Sequence, residues 1–179
     1  MCSSPDLYAA AVPVLARYLR RAQAWLDKAA AQLDAAGGSE AALLQTRLAP
    51  GMFNLAQQIH TAAGFAQRAC APLAGVEMPA LGQGDAASLA ELQARLARAL
   101  AFVESLDAAA MRAAAGRRLR TQAGEAWLEL ESAEFLQLYA LPNFFFHLGM
   151  AYALLRQAGV PLGKPDFDGW HRYPEGFSF

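Results

Sequence analysis

Four stretches of this chain carry apolar residues at alternating spacings of four and three, and this repeat constrains the fold more than any other feature. Such spacing places the apolar side chains on one face of an α-helix, and other helices must then cover that face. The clearest stretch begins at Ser88, which has the spacing of a capping box with Glu91. Its apolar positions are Leu89, Leu92, Leu96, Ala99, Val103, Leu106 and Ala110. The repeat therefore predicts an all-α fold, an up-and-down bundle of four helices.

The first two helices have recognisable ends. The segment Ser4-Pro5-Asp6 offers a capping hydroxyl, a proline for the first helical turn and an acid near the positive end of the helix dipole. The apolar repeat that follows continues through Pro13, so we expect this proline to bend the helix without ending it. The second helix is predicted over residues 50 to 71. It is bounded by a proline at each end.

The last helix is predicted to open at Pro142, after a short helical segment that starts at Ser132, and to close at Gly159. Its expected core positions are Leu138, Leu141, Phe145, Leu148, Tyr152 and Leu155. Before it, residues 117–121 and 126–131 flank a turn, and residues 128–131 alternate between apolar and acidic. This pattern predicts a small β-hairpin that needs the bundle for support.

The C-terminal tail is rich in aromatic residues: Phe167, Trp170, Tyr173, Phe177 and Phe179. Burying one such ring is worth about 1.5 to 3 kcal/mol. We therefore expect the tail to dock onto the bundle. The alternative is that its rings cover a second subunit.

Length and composition exclude several classes of protein. A chain of 179 residues, 55% of them hydrophobic, is predicted to form one domain over residues 1–179. The net charge is -1 and the densest basic cluster is Arg117, Arg118 and Arg120, so no nucleic-acid partner is expected. No run reaches about 18 uninterrupted apolar residues, so no membrane partner is expected. Cys2 and Cys70 lack the spacing of a metal or redox motif, which favours a reduced, cytoplasmic protein.

Two segments carry a family resemblance. The segments LAPGMFNLAQQI from Leu48, and PNF-F-H, AY-LLR, GVPLGK and DF-G between Pro142 and Gly169, resemble the DUF1993 proteins, a branch of the DinB/YfiT-like superfamily. The resemblance implies a four-helix bundle over essentially the whole chain. It implies no established reaction.

The same resemblance implies a place for a metal. DinB-like proteins typically hold a metal with three histidines, one on the second helix and a pair four residues apart on the last. His60 and His147 lie on the corresponding helices here, but Asn143 and Ala151 stand where the second member of the pair is needed. The chain has only one further histidine, His171 in the tail. We therefore expect no cofactor, while zinc or nickel held by His60, His147 and His171 is the alternative.

Two functions follow as hypotheses. The first is a module that binds a small ligand, or is purely structural, with a cleft near His147, Asn143, Tyr152, His60 and Gln57. The second is a metal-dependent enzyme of the thiol-transferase or hydrolase type that the superfamily implies. Under the first, His147 is a core residue that joins the last helix to a neighbour by a hydrogen bond. The expected partners are Tyr152, Gln57 and Tyr8.

Large rings off the apolar repeats suggest a partner. They are Phe53, Phe65, Phe102, Trp25 and Trp127. A monomer rarely leaves a large apolar patch in water, so these rings predict a homodimer. The alternative is that the hairpin and the tail cover them within one subunit.

Overall fold

Four long helices form a bundle in this computed structural model, which describes residues 6–174 and residue 177. The four helices are α1 (Leu7–Ala36), α3 (Leu55–Ala74), α4 (Leu89–Glu104) and α7 (Leu141–Gln157). Helices α1 and α3 contact each other and both of the remaining long helices, whereas α4 and α7 lie at opposite corners. The bundle predicted from the apolar repeats is confirmed.

The short helices were not anticipated by the repeats. Helix α2 (Glu40–Gln45) lies between α1 and α3, and α5 (Ala108–Ala113) follows α4. Because α4 ends at Glu104, the apolar repeat predicted to run to Ala110 is divided between two helices. Each short helix is too small for a periodic pattern, and both are capped by a single side chain, Ser39 and Asp107 respectively.

Helix starts differ from the predicted ones where a better cap is available. The N-cap of α1 is Asp6, whose carboxylate accepts a hydrogen bond from the Ala9 amide, while Ser4 and Pro5 lie outside the described residues. Helix α1 continues through Pro13, as predicted. Helix α3 begins at Leu55 and not at Pro50, because Asn54 and Gln57 form a complete capping box.

Helix α3 also runs further than predicted, past Pro72 to Ala74. It ends at Gly75, whose φ of 72° is left-handed. At the start of α4, Ser88 accepts a hydrogen bond from the Glu91 amide, as predicted. The Glu91 carboxylate, however, accepts from the Ala87 amide and not from that of Ser88.

Pro142 lies in the first turn of α7, as predicted, but the helical segment that starts at Ser132 runs into α7 without a break, so the whole helix spans Ser132–Gln157. Helix α6 (Ser132–Glu134) and a π-helical segment (Phe135–Ala140) lead directly into α7. Pro142 has no N–H for the carbonyl of Leu138, and the wider turn of the π-helical segment lies just before it. The side chain of Asn143 donates to the Tyr139 carbonyl at 2.7 Å, which satisfies another acceptor of this turn.

The wider turn also changes which residues face the core. Leu138, predicted to be a core residue, is 71% exposed, while Leu136, Tyr139 and Ala140 are buried. By length and composition, Ser132–Gln157 is the one helix in the described part of the chain that could cross a membrane. Here it is a member of the bundle, and 39% of its most apolar window is buried.

The predicted hairpin is present before the last helix. Strands β1 (Arg118–Ala123) and β2 (Ala126–Glu131) pair antiparallel, with Thr121 opposite Leu128. Arg117 donates to the Leu73 carbonyl at 3.2 Å, which joins the start of the hairpin to the end of α3. The hairpin thus leans on the bundle, as expected.

The tail docks onto α1 and α7. Phe167, in the short helix α8 (Lys164–Asp168), packs against Tyr18, Trp25 and Tyr152. The Trp25 indole donates to the Asp166 carbonyl at 2.9 Å, so α8 is held to α1 by packing and by a hydrogen bond. Trp170 is 73% exposed, with the guanidinium of Arg17 in α1 4.2 Å from its ring centre. Phe179 lies outside the described residues.

Candidate functional site

A cavity of about 440 Å³ lies between the middle of α3 and the loop of residues 76–87. Helix α3 contributes His60, Thr61, Gly64, Phe65, Gln67 and Arg68, and the loop contributes residues 78–82. This size lies within the range of small-molecule sites, about 300 to 1,000 Å³. Gly64 leaves room, since a Cβ built there would meet only a methyl of Leu81 at 4.0 Å. The cavity is the first candidate for a binding site.

Arg95 of α4 holds the loop that closes this cavity. Its side chain is completely buried, and its guanidinium donates to the carbonyls of Gln83 at 3.1 Å and Gly84 at 2.9 Å. It also pairs with Glu91 one turn earlier, at 2.5 Å. A buried cation needs such partners, because leaving water costs it several kcal/mol, of order 5. The loop therefore packs around the buried positive charge of Arg95.

Gly82 permits the close approach of this loop to Arg95. Its φ of +120° is one that residues with side chains rarely adopt, and a Cβ there would lie 3.3 Å from Nε of Arg95. The amide nitrogen of Gln67 and the Nε atom of Arg95 are buried without a hydrogen-bond partner among the described residues. Gln67 lines the cavity, so an unsatisfied carboxamide stands in its wall.

His60 connects Arg95 to the cavity. The Nδ1 atom of His60 lies 2.9 Å from Nη1 of Arg95. A guanidinium can only donate, so Nδ1 is the acceptor and the proton of the neutral ring is on Nε2. Burial lowers the pKa of His60, and the charge of Arg95 lowers it further, while Asp85 opposes both. The ring is therefore neutral, and its Nε2–H is a donor that the contact with Arg95 does not use.

His147, on α7, has a different setting. Its Nδ1 atom is 2.7 Å from Oε1 of the buried Gln58, and its ring stacks between Phe53 and Phe65. Burial lowers the pKa of His147. The predicted role as a polar bond between the last helix and a neighbour fits this geometry, but the partner is Gln58 and none of the three expected residues.

The other predicted cleft residues are dispersed. Asn143 bonds its own helix, and Tyr152 packs on Trp25 and Phe167 between α1 and the tail. Gln57 completes the cap of α3 and lies 3.3 Å from the carboxylate of Asp85 in the loop. Of the five, only His60 lines the cavity. The structure does not bring them together in one cleft.

The histidines do not fit the metal site that the superfamily implies. The Nδ1 atom of His60 accepts from the cation of Arg95, which leaves the proton on Nε2, the other ring nitrogen that a metal would need. His147 and His171 keep Nε2 open, but their Nδ1 atoms contact Gln58 and Asp168, in different parts of the fold. Gln58 and His60 are two positions apart on α3, so they point to different sides of the helix. In the described part of the chain, no group of three or more His, Cys, Asp or Glu side chains could hold a metal.

A second cavity, of about 420 Å³, adjoins the first and shares Arg68 and Met78 with it. It lies between the end of α3 and the hairpin. Most of its wall is apolar, formed by Ala71, Pro72, Val76, Leu119, Trp127 and Phe135. Arg120 also lines it, and its guanidinium lies 4.2 Å from the centre of the Trp127 ring.

Arg68 stands between the two cavities. Its Nη1 atom donates to the Tyr139 hydroxyl at 3.2 Å, and its guanidinium lies 5.2 Å from the centre of the Phe65 ring. No Asp or Glu side chain lines either cavity, whereas Arg68 and Arg120 do. The field in this region therefore favours an anion.

Sequence reasoning missed Arg95, Arg68 and Gln67. A signal for Arg95 was present, because it lies four residues after Glu91 and next to the core position Leu96, and because glycines at 82 and 84 mark a loop that can turn its carbonyls inward. No pattern singled out Gln67 or Arg68, since α3 buries residues on almost every side and the polar ones cannot be ranked from spacing.

Comparison with known proteins gives a family and a fold. A family model described as a domain of unknown function, DUF1993, matches residues 7–168. The crystal structure of a DinB family member from Shewanella denitrificans aligns with a TM-score of 0.80 at 33% identity, covering 93% of this chain and 94% of that chain. No curated protein matches.

Proposed function

This chain belongs to the DUF1993 family of DinB-like four-helix bundles, and we propose that it is a binding protein for a small anionic molecule. The ligand occupies the cavity between α3 and the 76–87 loop. One observation carries the proposal: the cavity has an arginine and a neutral histidine in its wall, with no acid to oppose an anion. Arg68, Thr61 and His60 can each donate a hydrogen bond to such a ligand.

The alternative, a metal-dependent enzyme of the thiol-transferase or hydrolase type, has less support. A metal cation at His60 would have to approach a ring already bonded to the guanidinium of Arg95. The nearby charge that lowers the pKa of this histidine also disfavours a second cation. The residues at this place are better suited to an anion.

A variant that fills the cavity tests the proposal. Gly64→Leu places a side chain in the cavity and replaces a helical glycine, so we expect the fold to be retained. Ala97→Leu, at an exposed position of α4, adds a leucine elsewhere and is the control. The melting temperature is measured with phosphate, sulfate and carboxylates of graded length.

We expect at least one of these anions to raise the melting temperature of the wild type and of Ala97→Leu, but not that of Gly64→Leu. If no anion raises it, or if Gly64→Leu responds like the wild type, the proposed site is wrong.

We also propose that the protein forms a homodimer in the cytoplasm, through the last helix. Leu138, Pro142 and Phe146 are spaced four residues apart along this helix, and all three are exposed. Phe53 is exposed too, and its ring contacts His147, as does the ring of Phe146. Residues 135–155 contain no Asp, Glu, Lys or Arg, so no charged side chain offsets the cost of exposing this apolar stripe to water. A two-fold axis would place the same stripe of a second copy against it. Trp25, one of the rings first assigned to the interface, is buried within its own subunit.

A further inference from the structure

We infer that the ligand is a carboxylate with an apolar tail, whose head lies in the first cavity and whose tail lies in the second. This inference rests on the proposed function, since it names the class of molecule for that same site. It depends on the two cavities being neighbours that share Arg68 and Met78.

The head is recognised by the donors of α3. Both hydrogen bonds of Arg68 to the described residues use Nη1, which leaves Nη2 and Nε to pair with a carboxylate. Thr61 and His60 lie about two turns earlier on the same helix and line the same cavity. Gln67, 97% buried with an unsatisfied amide nitrogen, adds an unused polar group to this wall.

The tail is recognised by the surface beneath the hairpin. Val76, Met78 and Trp127 are large apolar residues that line the second cavity and are about half exposed, and the buried Phe135 also lines it. Exposed apolar side chains that face one another across a cavity gain free energy when a hydrocarbon covers them. Met78 lies in both walls, and a flexible thioether side chain can adapt to a chain that passes it.

Charge separates this ligand from a neutral lipid or alcohol. Arg68 and Arg120 are the charged side chains in the two walls, and neither has an acidic partner among the described contacts. A neutral ligand would leave the Arg68 guanidinium facing the cavity unpaired. A carboxylate of the same length is therefore favoured over the alcohol.

The test is a titration series with straight-chain carboxylates from butanoate to decanoate, with 1-octanol as the neutral counterpart of octanoate. Binding is followed by calorimetry and by tryptophan fluorescence, and Trp127→Phe identifies the contribution of that ring. Arg68→Gln removes the charge at the head, and Arg156→Gln, exposed on α7, is its control. Trp127→Ala removes the largest apolar side chain from the wall of the second cavity.

We expect affinity to rise by roughly threefold to fourfold for each methylene that enters the second cavity. Octanoate should bind at least about tenfold more tightly than 1-octanol, the size of one charge-assisted hydrogen bond. Arg68→Gln should abolish that preference, whereas Trp127→Ala should weaken octanoate and leave butanoate unchanged.

Two outcomes overturn the inference separately from the proposed function. If phosphate or short carboxylates bind in a way that Gly64→Leu abolishes, but chain length has no effect, the site stands and the tailed ligand is wrong. If 1-octanol binds as tightly as octanoate, the carboxylate head is wrong. If no anion of any kind binds, the proposed function fails and the inference fails with it.

Discussion

The Nδ1 atom of His60 accepts a hydrogen bond of 2.9 Å from the buried guanidinium of Arg95. Through this bond α3, α4 and the 76–87 loop share one polar centre. The histidine stands on the helix where the family resemblance implies a metal ligand, and its Nδ1 atom contacts Arg95. The guanidinium that holds the loop thus also fixes the proton of His60, a residue of the cavity wall, on Nε2.

Replacing Arg95 should loosen the loop before it unfolds the bundle. Arg95→Met removes the donors to the carbonyls of Gln83 and Gly84 and the ion pair with Glu91. We expect the free energy of unfolding to fall by about 2 to 4 kcal/mol. Denaturant titration measures this loss, and hydrogen exchange should show faster exchange in residues 76–87. Arg156→Met, at an exposed position, should change neither.

Stability should decrease when the solution becomes mildly acidic. Burial and Arg95 lower the pKa of His60 from its ordinary 6.5, so the unfolded chain binds a proton more readily than the folded one. The contribution of the neutral ring is complete above pH 6.5 and is lost as the pH falls through the lower, folded pKa. Denaturation midpoints at a series of pH values from about 7.5 to 5 measure the loss.

The matched variant is His60→Asn, whose side-chain oxygen can accept from Arg95 but does not titrate in this range. It should reduce the pH dependence, leaving the part that comes from His147, whose pKa is also lowered by burial. An unchanged pH dependence in this variant would show that His60 is not the group that titrates.

The bond between His147 and Gln58 should be measurable apart from the packing of the ring. His147→Phe keeps a ring between Phe53 and Phe65 but leaves the buried Gln58 without its partner. We expect a loss of about 1 to 3 kcal/mol by chemical denaturation. The double variant with Gln58→Leu should recover part of the loss, because no polar group is then left unsatisfied. Equal stability of wild type and His147→Phe would contradict a role for this bond.

Metal content should be low. Protein purified without a histidine tag is expected to carry well under about 0.5 equivalents of zinc or nickel, because a tight site takes three or four protein ligands and the histidines here are dispersed. Elemental analysis decides this. About one tightly held metal per chain, lost in His60→Ala or His147→Ala, would revive the metal-dependent alternative.

Light scattering should give a mass near twice the 19.2 kDa of one chain. Phe146→Glu places a charge in the exposed apolar stripe of the last helix and should shift the mass toward one chain. Trp170→Glu, in the exposed part of the tail, is the control and should not. A wild-type mass of one chain at all concentrations rejects the dimer.

Much of the fold could be predicted because helices of a bundle repeat the same physical requirement every three to four residues. The repeats located α1, α3 and α4, and the alternation of residues 128–131 located β2. The ends were less predictable, since several polar residues near each end compete to cap the helix. Asn54 caps α3 in place of Pro50 because Gln57 completes its capping box, and this spacing is already present in the sequence beside the competing proline.

The candidate site was largely beyond prediction for a different reason. His60 was identified by its residue type, but its partner Arg95 lies 35 positions away on another helix. A buried arginine looks like a surface residue in sequence, because arginines are usually exposed. The cavity depends on how a loop of small residues folds over α3, and composition does not encode that path.

The π-helical segment at Phe135–Ala140 has a consequence for comparing this chain with its relatives. A π turn holds about one residue more than the α turn it replaces. A relative with an unbroken α-helix there would need a one-residue gap within this segment. Without that gap, an alignment is wrong on one side of the segment. It either pairs the exposed Leu138 with an interior position of the relative, or it shifts every position from Pro142 onward by one residue. Structure-guided gap placement at residues 135–140 is therefore required before any substitution pattern in the last helix is interpreted.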